Sequence, residues 1–141
     1  MLKISARNQL KGKASKVEKG AVNGDVWIDI GDGNTIFSNI TNAAITELGI
    51  QPGDSVIAII KASSIILAES DDIKISARNR LRGHIASIEK GAVNSEIKIQ
   101  LPSGQLITAI VTCDTVDELN LSKGEACTAL IKASQVILAI E

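Results

Sequence analysis

Residues 26–40 read Val-Trp-Ile-Asp-Ile-Gly-Asp-Gly-Asn-Thr-Ile-Phe-Ser-Asn-Ile, and this stretch decides the fold class. Apolar residues alternate with other residues before a Gly-Asp-Gly-Asn turn and resume after it, which is typical of a β-hairpin. The second half of the chain has a similar alternation at 96–101, a turn at 102–104 and a further strand at 106–111. We therefore predict a mostly β protein built around two hairpins.

A short helix is predicted directly after the first hairpin. Thr41 suits the N-cap, Ile45 and Leu48 fall on one helix face, and Gly49 suits the position after the last turn. The other apolar runs predict strands at 2–8, 10–17, 55–61 and 65–68, with a bend in the opening strand near Gly12. The order β-β-β-α-β-β is typical of a small OB-like barrel.

The chain repeats itself without a gap, at a constant offset of 71 positions, as from Lys3 to Lys74. The runs that recur are 3–8 at 74–79, 18–23 at 89–94, and 60–63 at 131–134. This predicts two tandem OB-like, five-stranded barrels, each with one short helix, in domains 1–70 and 71–141. Units of about 70 residues have small cores, so we expect them to pack on each other or on other chains.

Composition excludes several classes of function. Of the 141 residues 45% are hydrophobic, but only 1% are aromatic, namely Trp27 and Phe37, so the core is predicted to be aliphatic. So few aromatic residues argue against a base-stacking surface, and a net charge of −1 gives no general attraction for nucleic acid. Cys113 and Cys127 are interpreted as reduced thiols, and His84 as an exposed surface residue.

No signal peptide and no apolar run of about 20 residues is visible, which predicts a cytoplasmic protein that does not cross a membrane.

Three polar motifs are identical in the two copies, namely Ser-Ala-Arg-Asn, Lys-Gly-Ala-Val-Asn and Lys-Ala-Ser. Surface positions elsewhere have changed, as from Trp27 to Lys98. The motifs supply cations, hydroxyls, an amide and small residues that allow close approach to backbone N–H groups. A set of donors of this kind suits a small oxyanion. It contains no nucleophile with its base and no metal-ligand set, so we predict binding and no enzymatic activity.

The three motifs resemble those of the Mop domain, the molybdate-binding module of the molbindin family. The resemblance covers essentially the whole chain and occurs twice, as in two-Mop-domain members of that family. It implies OB-like domains that assemble into a trimer of two-domain chains. It further implies reversible binding and intracellular storage of molybdate or tungstate, with no organic cofactor and no side chain bonded directly to a metal.

The resemblance implies two classes of oxyanion site. The interfacial class comprises Ser5, Ala6, Arg7, Thr41, Lys61, Ala62 and Ser63, with the second-copy residues Ser76, Ala77, Arg78, Thr112, Lys132, Ala133 and Ser134. The class near the three-fold axis comprises Lys19, Gly20, Val22, Asn23, Lys90, Gly91, Val93 and Asn94. Ala44 lacks the hydroxyl that Thr115 carries in the second copy, so the two interfacial sites are expected to differ in affinity.

Two alternatives stay open at this point. An OB-type protein that binds nucleic acid is compatible with the fold, but the lack of aromatic residues and the balanced charge count against it. A molybdate-sensing module that acts through a partner protein is the other.

Overall fold

The computed structural model describes residues 2–141, and each sequence copy forms five strands and one α-helix. The elements of the first copy are β1 (Asn8–Lys19), β2 (Asn23–Gly31), β3 (Asn34–Thr41), α1 (Asn42–Leu48), β4 (Ser55–Ile60) and β5 (Ile66–Ala68). Those of the second copy are β6 (Asn79–Lys90), β7 (Asn94–Gln100), β8 (Leu106–Thr112), α2 (Cys113–Glu118), β9 (Ala126–Ile131) and β10 (Ile137–Ala139). Short 3-10 helices, Ala62–Ser64 and Ala133–Gln135, precede β5 and β10. The order β-β-β-α-β-β is confirmed.

The strands assemble into two compact units that exchange their last strands. Unit 1 contains the chain up to Ile60 together with Lys132–Glu141, and unit 2 is Lys61–Ile131. The antiparallel sheet of unit 1 has the order β10-β4-β1-β2-β3, and that of unit 2 has the order β5-β9-β6-β7-β8.

This division differs from the predicted domains 1–70 and 71–141, although both sheets have five strands as expected. The terminal strands of the two copies share the sequence Ile-Leu-Ala, at 66–68 and 137–139. Each can therefore present the same side chains to the edge of the other copy's sheet. The repeat in the sequence consequently says nothing about which copy receives which strand.

The predicted hairpin and helix of the first copy are confirmed. In the turn, Asp32 and Gly33 have positive φ angles of 51° and 75°, which suits residues that tolerate the left-handed region. The side chain of Thr41 accepts a hydrogen bond from the Ala44 N–H (3.1 Å) and caps α1, and Gly49 follows with φ 63°. In the second copy Asn120 takes the place of Gly49 with φ 51°.

The predicted opening strand at 2–8 is wrong, because the first strand starts only at Asn8. The side chain of Gln9 instead forms hydrogen bonds with the backbone of Leu2. Its Oε1 accepts from the Leu2 N–H and its Nε2 donates to the Leu2 carbonyl, each at 3.0 Å. A side-chain amide thus replaces the strand partner that the alternating pattern suggested.

The expected bend near Gly12 lies farther along β1, where the pairing with β2 shifts between Ala14 and Lys16. Gly12 has a different role. A Cβ at this position would lie 2.4 Å from the Asp29 carbonyl oxygen, so the two backbones approach more closely than any side chain permits. Gly83 repeats this geometry against the carbonyl of Gln100.

The core of each unit is aliphatic, as predicted. Buried isoleucines line the inner faces of the sheets, including Ile28 and Ile36 in unit 1 and Ile97 and Ile107 in unit 2. The two aromatic residues pack edge to face on β2 and β3, with ring centroids 6.0 Å apart. Both cysteines are free thiols, with Cys127 buried, and His84 is exposed, as expected. Within residues 2–141, no helix has the length and apolar character needed to cross a membrane.

Candidate functional site

The Lys-Gly-Ala-Val-Asn motifs form the loops between β1 and β2 (Lys19–Asn23) and between β6 and β7 (Lys90–Asn94). In each loop the glycine N–H donates to the carbonyl of the asparagine three residues later, at 2.8 Å. The next two N–H groups, those of Ala21 and Val22 in the β1–β2 loop, have no acceptor within residues 2–141. The same holds for Ala92 and Val93. Each loop therefore presents two adjacent backbone donors, as an anion-binding nest requires.

Gly20 is a structural requirement of this turn, and its own N–H is already used. A Cβ on Gly20 would lie 2.6 Å from the Asn23 carbonyl oxygen, and one on Gly91 would lie 2.8 Å from that of Asn94. The asparagine of Ser-Ala-Arg-Asn also has a structural role. Asn8 is buried, and its Nδ2 donates to the Ile60 carbonyl at 3.1 Å. The repetition of these residues in both copies thus has a reason in the fold.

Residues that the sequence analysis missed hold the loops in place. The Asn42 N–H donates to the Val22 carbonyl (2.8 Å) and its Nδ2 to the Gly20 carbonyl (2.9 Å). Cys113 replaces Asn42 in the second copy and makes the same backbone bond, while its Sγ lies 3.4 Å from the Gly91 carbonyl oxygen. Gly24 changes to Ser95 together with the change from Asn42 to Cys113, and Ser95 Oγ lies 3.1 Å from the Cys113 Sγ. This paired change is the sequence signal that could have revealed that the two positions are in contact.

The lysines of the two loops have different partners. Lys19 Nζ donates to the hydroxyl of Thr46 at 2.7 Å, whereas Lys90 Nζ lies 2.8 Å from a carboxylate oxygen of Asp117. The hydrogen bond that Lys90 donates to Asp117, together with the negative charge of Asp117, raises the pKa of Lys90 above its ordinary value of 10.5. Both lysines are exposed, but of the two only Lys90 forms an ion pair with a carboxylate among residues 2–141.

Each loop opens on a shallow depression. The one beside the β1–β2 loop has a volume of about 100 Å³ and the one beside the β6–β7 loop about 300 Å³. In the first, Asn23 Nδ2 donates to Asn39 Oδ1 (3.1 Å), and Asn39 in turn donates to Asp25 (2.8 Å). In the second, Ile110 occupies the position of Asn39, and the Asn94 amide has no partner within the described chain.

The Ser-Ala-Arg runs lie just before β1 and β6. Arg7 is exposed, its Nε donates to the Ser5 carbonyl at 3.2 Å, and it pairs with no carboxylate within residues 2–141. Ser5 and Ser76 are exposed as well. These cations and hydroxyls are therefore accessible to a ligand from solvent.

The Lys-Ala-Ser runs mark the two points at which the chain passes between the units, Ile60 to Lys61 and Ile131 to Lys132. Ala62 and Ala133 are buried, whereas Lys61 and Lys132 are exposed and form no ion pair with any described residue. Because of the exchange, unit 1 contains the first Ser-Ala-Arg run, Thr41 and the second Lys-Ala-Ser run. Unit 2 contains Thr112 and the other two runs. From the sequence alone, by contrast, each Ser-Ala-Arg run was grouped with the Lys-Ala-Ser run of its own copy.

The two threonines cap the helices, and the hydroxyl hydrogen of Thr41 has no acceptor among residues 2–141. Thr41 Oγ1 accepts only the Ala44 N–H, while Thr112 Oγ1 accepts the Thr115 N–H and lies 2.8 Å from the Thr115 hydroxyl. The difference between Ala44 and Thr115 noted in the sequence is therefore a difference in how each capping hydroxyl is engaged. Residues 2–141 contain no cluster of histidine, cysteine or carboxylate side chains that could hold a metal ion.

Comparisons with known proteins show which proteins the chain is similar to. The model of the TOBE domain family matches the chain twice, at residues 4–67 and 75–138. A solved structure, that of the cytoplasmic molybdate-binding protein ModG with molybdate bound, shares 40% sequence identity and a TM-score of 0.96. That match covers 99% of this chain and 100% of the ModG chain.

Two curated relatives are similar over nearly the whole chain. The molybdenum-pterin-binding protein MopA of Rhodobacter capsulatus is 43% identical over 140 residues, which are 99% of this chain and 53% of MopA. The molybdenum transport protein ModE of Azotobacter vinelandii is 39% identical over 139 residues, 99% of this chain and 52% of ModE. The chain thus spans about half the length of these curated relatives.

Proposed function

The chain belongs to the TOBE domain family, which it matches twice, and from this premise we propose that it reversibly binds molybdate or tungstate and does not catalyse a reaction. The observation that carries the proposal is the pair of N–H groups in each Lys-Gly-Ala-Val-Asn loop that lie beside a lysine and have no acceptor among residues 2–141. The 40% identity to a ModG structure with molybdate bound supports the choice of ligand.

The chemistry of the donors fits this ligand. Molybdate is a tetrahedral dianion whose oxygens only accept hydrogen bonds, so backbone N–H groups, hydroxyls and cations match it directly. Phosphate that carries a proton needs an acceptor as well and should bind more weakly. Sulfate is a dianion too, but its bonds to oxygen are shorter, so selection against sulfate would rest on the size of the cavity.

Two classes of site follow from the motifs. The first uses the Ser-Ala-Arg and Lys-Ala-Ser runs with the capping threonines, where Arg7, Lys61 and Lys132 carry positive charge without a carboxylate partner among the described residues. The second uses the Lys-Gly-Ala-Val-Asn loops. All polar members of both classes are exposed in the single chain, which suits sites completed by another copy.

The resemblance to two-Mop-domain proteins implies a trimer, and we propose that the chain assembles as one. The same apolar positions are exposed in both copies, with Val22 at 73% and Val93 at 70% at the tips of the loops, and Ile66 and Ile137 both at 56%. Exposed apolar residues that recur in this way are typical of surfaces covered by a partner. Because ligand bound between chains stabilises the assembly, saturation at a hundred times Kd should add about 2.7 kcal/mol per site.

Calorimetric titration with molybdate, tungstate, sulfate and phosphate tests the proposal. We expect micromolar or tighter binding of the first two, and the absence of molybdate binding below millimolar concentrations would refute it. The double variant Arg7→Ala/Arg78→Ala should weaken the interfacial class and spare the loops, while Lys19→Ala/Lys90→Ala should do the reverse. Lys11→Ala, which removes an exposed lysine outside the motifs, is the matched control.

A role in the cytoplasm as a store of the oxyanion is the form of this function that we favour. The DNA-binding transcriptional dual regulator ModE of Escherichia coli, 32% identical over 139 residues that are 52% of its length, supports a second candidate, in which these units sense the oxyanion for a partner. Binding of nucleic acid is disfavoured, since Trp27 packs against Phe37 and under Lys16 Nζ, 4.8 Å from the ring centroid. A fluorescent oligonucleotide that bound at physiological salt would reverse this order.

A further inference from the structure

The two Lys-Gly-Ala-Val-Asn loops share one sequence but differ in the residue that meets their lysine. Thr46 and Asp117 occupy equivalent positions in α1 and α2. The hydroxyl of Thr46 leaves the charge of Lys19 uncompensated, whereas the carboxylate of Asp117 lies 2.8 Å from Lys90 Nζ. An incoming dianion must therefore compete with Asp117 for Lys90, but has no carboxylate competitor for Lys19 within the described residues.

The charges around the loops differ in the same direction. Glu18 and Asp25 line the depression at the β1–β2 loop, and Glu89 and Glu96 line the one at the β6–β7 loop. In the first copy Lys16 Nζ lies 3.4 Å from Glu18, while Ser87 replaces this lysine in the second. A lysine returns on the neighbouring strand, because Lys98 pairs with Ser87 where Trp27 pairs with Lys16. Each loop therefore has two lysines nearby, with two carboxylates at the first loop and three at the second, and the added carboxylate is that of Asp117.

One difference acts in the opposite direction. Asn23 donates its amide to Asn39, while the Asn94 amide has no partner within residues 2–141. Asn39 is neutral, however, so a ligand can displace it without electrostatic repulsion. Asp117 repels a dianion even after Lys90 has turned away from it, because the Coulomb interaction of charges extends beyond direct contact.

We propose that Asp117 weakens oxyanion binding at the β6–β7 loop, so that the β1–β2 loop, where Thr46 takes its place, fills first. This inference rests on the proposed function and adds a specificity-determining residue that lies outside the repeated motifs. Two copies of one motif then provide a tighter and a weaker site in each chain. The protein would therefore hold some oxyanion at low concentration and still take up more as the concentration rises.

Exchanging the two helix residues tests the inference. The parent is the full chain with Arg7→Ala/Arg78→Ala, in which the proposed interfacial class is weakened and the loop sites dominate a titration with molybdate. At about 0.05 M salt, Asp117→Thr should tighten the weaker class about three- to tenfold, as expected for removing one charge near a dianion. Thr46→Asp should weaken the tighter class by a similar factor. Both changes should shrink at about 1 M salt, where charges are screened beyond about 3 Å.

Glu118→Gln is the matched control, since it removes one carboxylate from the same helix without touching Lys90. Its affinities should stay within twofold of the parent. Equal affinity of the two loop classes in the parent, or an Asp117→Thr titration identical to that of the parent, would overturn the inference. If the wild-type chain itself bound no molybdate, the proposed function would fail instead, so the two failures can be told apart.

Discussion

The hydroxyl of Ser38 on β3 donates a hydrogen bond to the Val136 carbonyl at 2.9 Å, across 98 residues of sequence. Both residues are buried within unit 1. The bond holds the segment that leads into β10 against the strand that ends at Thr41. It thereby fixes the second Lys-Ala-Ser run in the unit that contains the first Ser-Ala-Arg run. The exchange of terminal strands is therefore supported by a side-chain contact as well as by β-sheet pairing.

Removal of this hydroxyl should destabilise unit 1. Ser38→Ala leaves the buried Val136 carbonyl without its donor, so we expect a loss of about 1–3 kcal/mol in the free energy of unfolding. Urea unfolding measures it. Ser15→Ala is the control, because its hydroxyl bond to the Trp27 carbonyl is exposed and should contribute little. Equal losses in the two variants would contradict the role of the buried bond.

Gly12 and Gly83 should not accept any side chain. A Cβ would lie 2.4 Å from a carbonyl oxygen of the neighbouring strand and 2.8 Å from an isoleucine methyl group, so the strands must separate. We expect Gly12→Ala and Gly83→Ala each to cost about 1–3 kcal/mol or more of unfolding free energy. Gly33→Asn is the matched control. It has open space around it, and asparagine tolerates its positive φ, so thermal unfolding should change little.

The residues that pack beneath the β1–β2 loop should be replaceable by their second-copy equivalents only if they are changed together. A Cβ on Gly24 would lie 2.7 Å from Ile45 Cδ1, 2.9 Å from the Glu18 carbonyl oxygen and 3.0 Å from Asn42 Oδ1, so Gly24→Ser should destabilise by about 1–3 kcal/mol. In the second copy the serine at this position comes with the smaller Cys113 and Val116.

The triple variant Gly24→Ser/Asn42→Cys/Ile45→Val should therefore recover the part of the lost stability that is due to Asn42 and Ile45, while the contact with the Glu18 carbonyl oxygen remains. Urea unfolding of the single, double and triple variants gives the coupling energies between the three positions. Additive losses throughout would show that the three changes are independent. Asn42 Oδ1 is buried without a hydrogen-bond partner among residues 2–141, so its removal should offset part of the loss of the Nδ2 bond to the Gly20 carbonyl.

Stability should fall at alkaline pH because of one thiol. Burial raises the pKa of Cys127 above its ordinary value of 9.0. The folded chain then keeps a proton that the unfolded chain loses. The stabilisation is thus complete below about pH 9 and is lost as the pH rises through the folded pKa.

Cys127→Val should remove this part of the pH dependence. Valine is the residue at the equivalent position in the first copy, where Val56 is buried, so the fold should accept it. Urea unfolding between about pH 8 and pH 10 measures the slope, a range that stays below the raised pKa of Lys90. An unchanged slope in the variant would contradict the assignment. Thiol reagents should meanwhile modify Cys113, which is only half-buried, before Cys127.

The local structure could be predicted because its causes lie within a few residues of one another. Alternation over residues 26–40 predicted the hairpin, and Thr41 and Gly49 predicted the ends of α1. The exception was the segment before Asn8, where the pattern suggested a strand. There the side-chain amide of Gln9 forms the hydrogen bonds of the Leu2 backbone. An alternating sequence pattern cannot show whether a neighbouring strand or a side chain forms such bonds.

The candidate site, too, was predicted only in part from the sequence. The repeated motifs indicated which residues offer donors, and they remain the proposed ligands. The structure showed that Gly20 and Asn8 are also needed for the fold. It further revealed the contacts that Asn42, Thr46 and Asp117 make with the loops. These helix residues were not predicted because they differ between the two copies, and identity between the copies reveals only residues that have stayed the same.

By itself the sequence determined the mostly β fold, the duplication, the short helices and the chemistry of the repeated donors. Hydrophobic periodicity, capping residues and residue type are local properties, and local properties can be read along a chain. Only the tertiary structure decided that β10 completes the sheet of the first copy and β5 that of the second. Both strands read Ile-Leu-Ala, so the choice between them depends on the path of the chain and on contacts such as that of Ser38 with Val136.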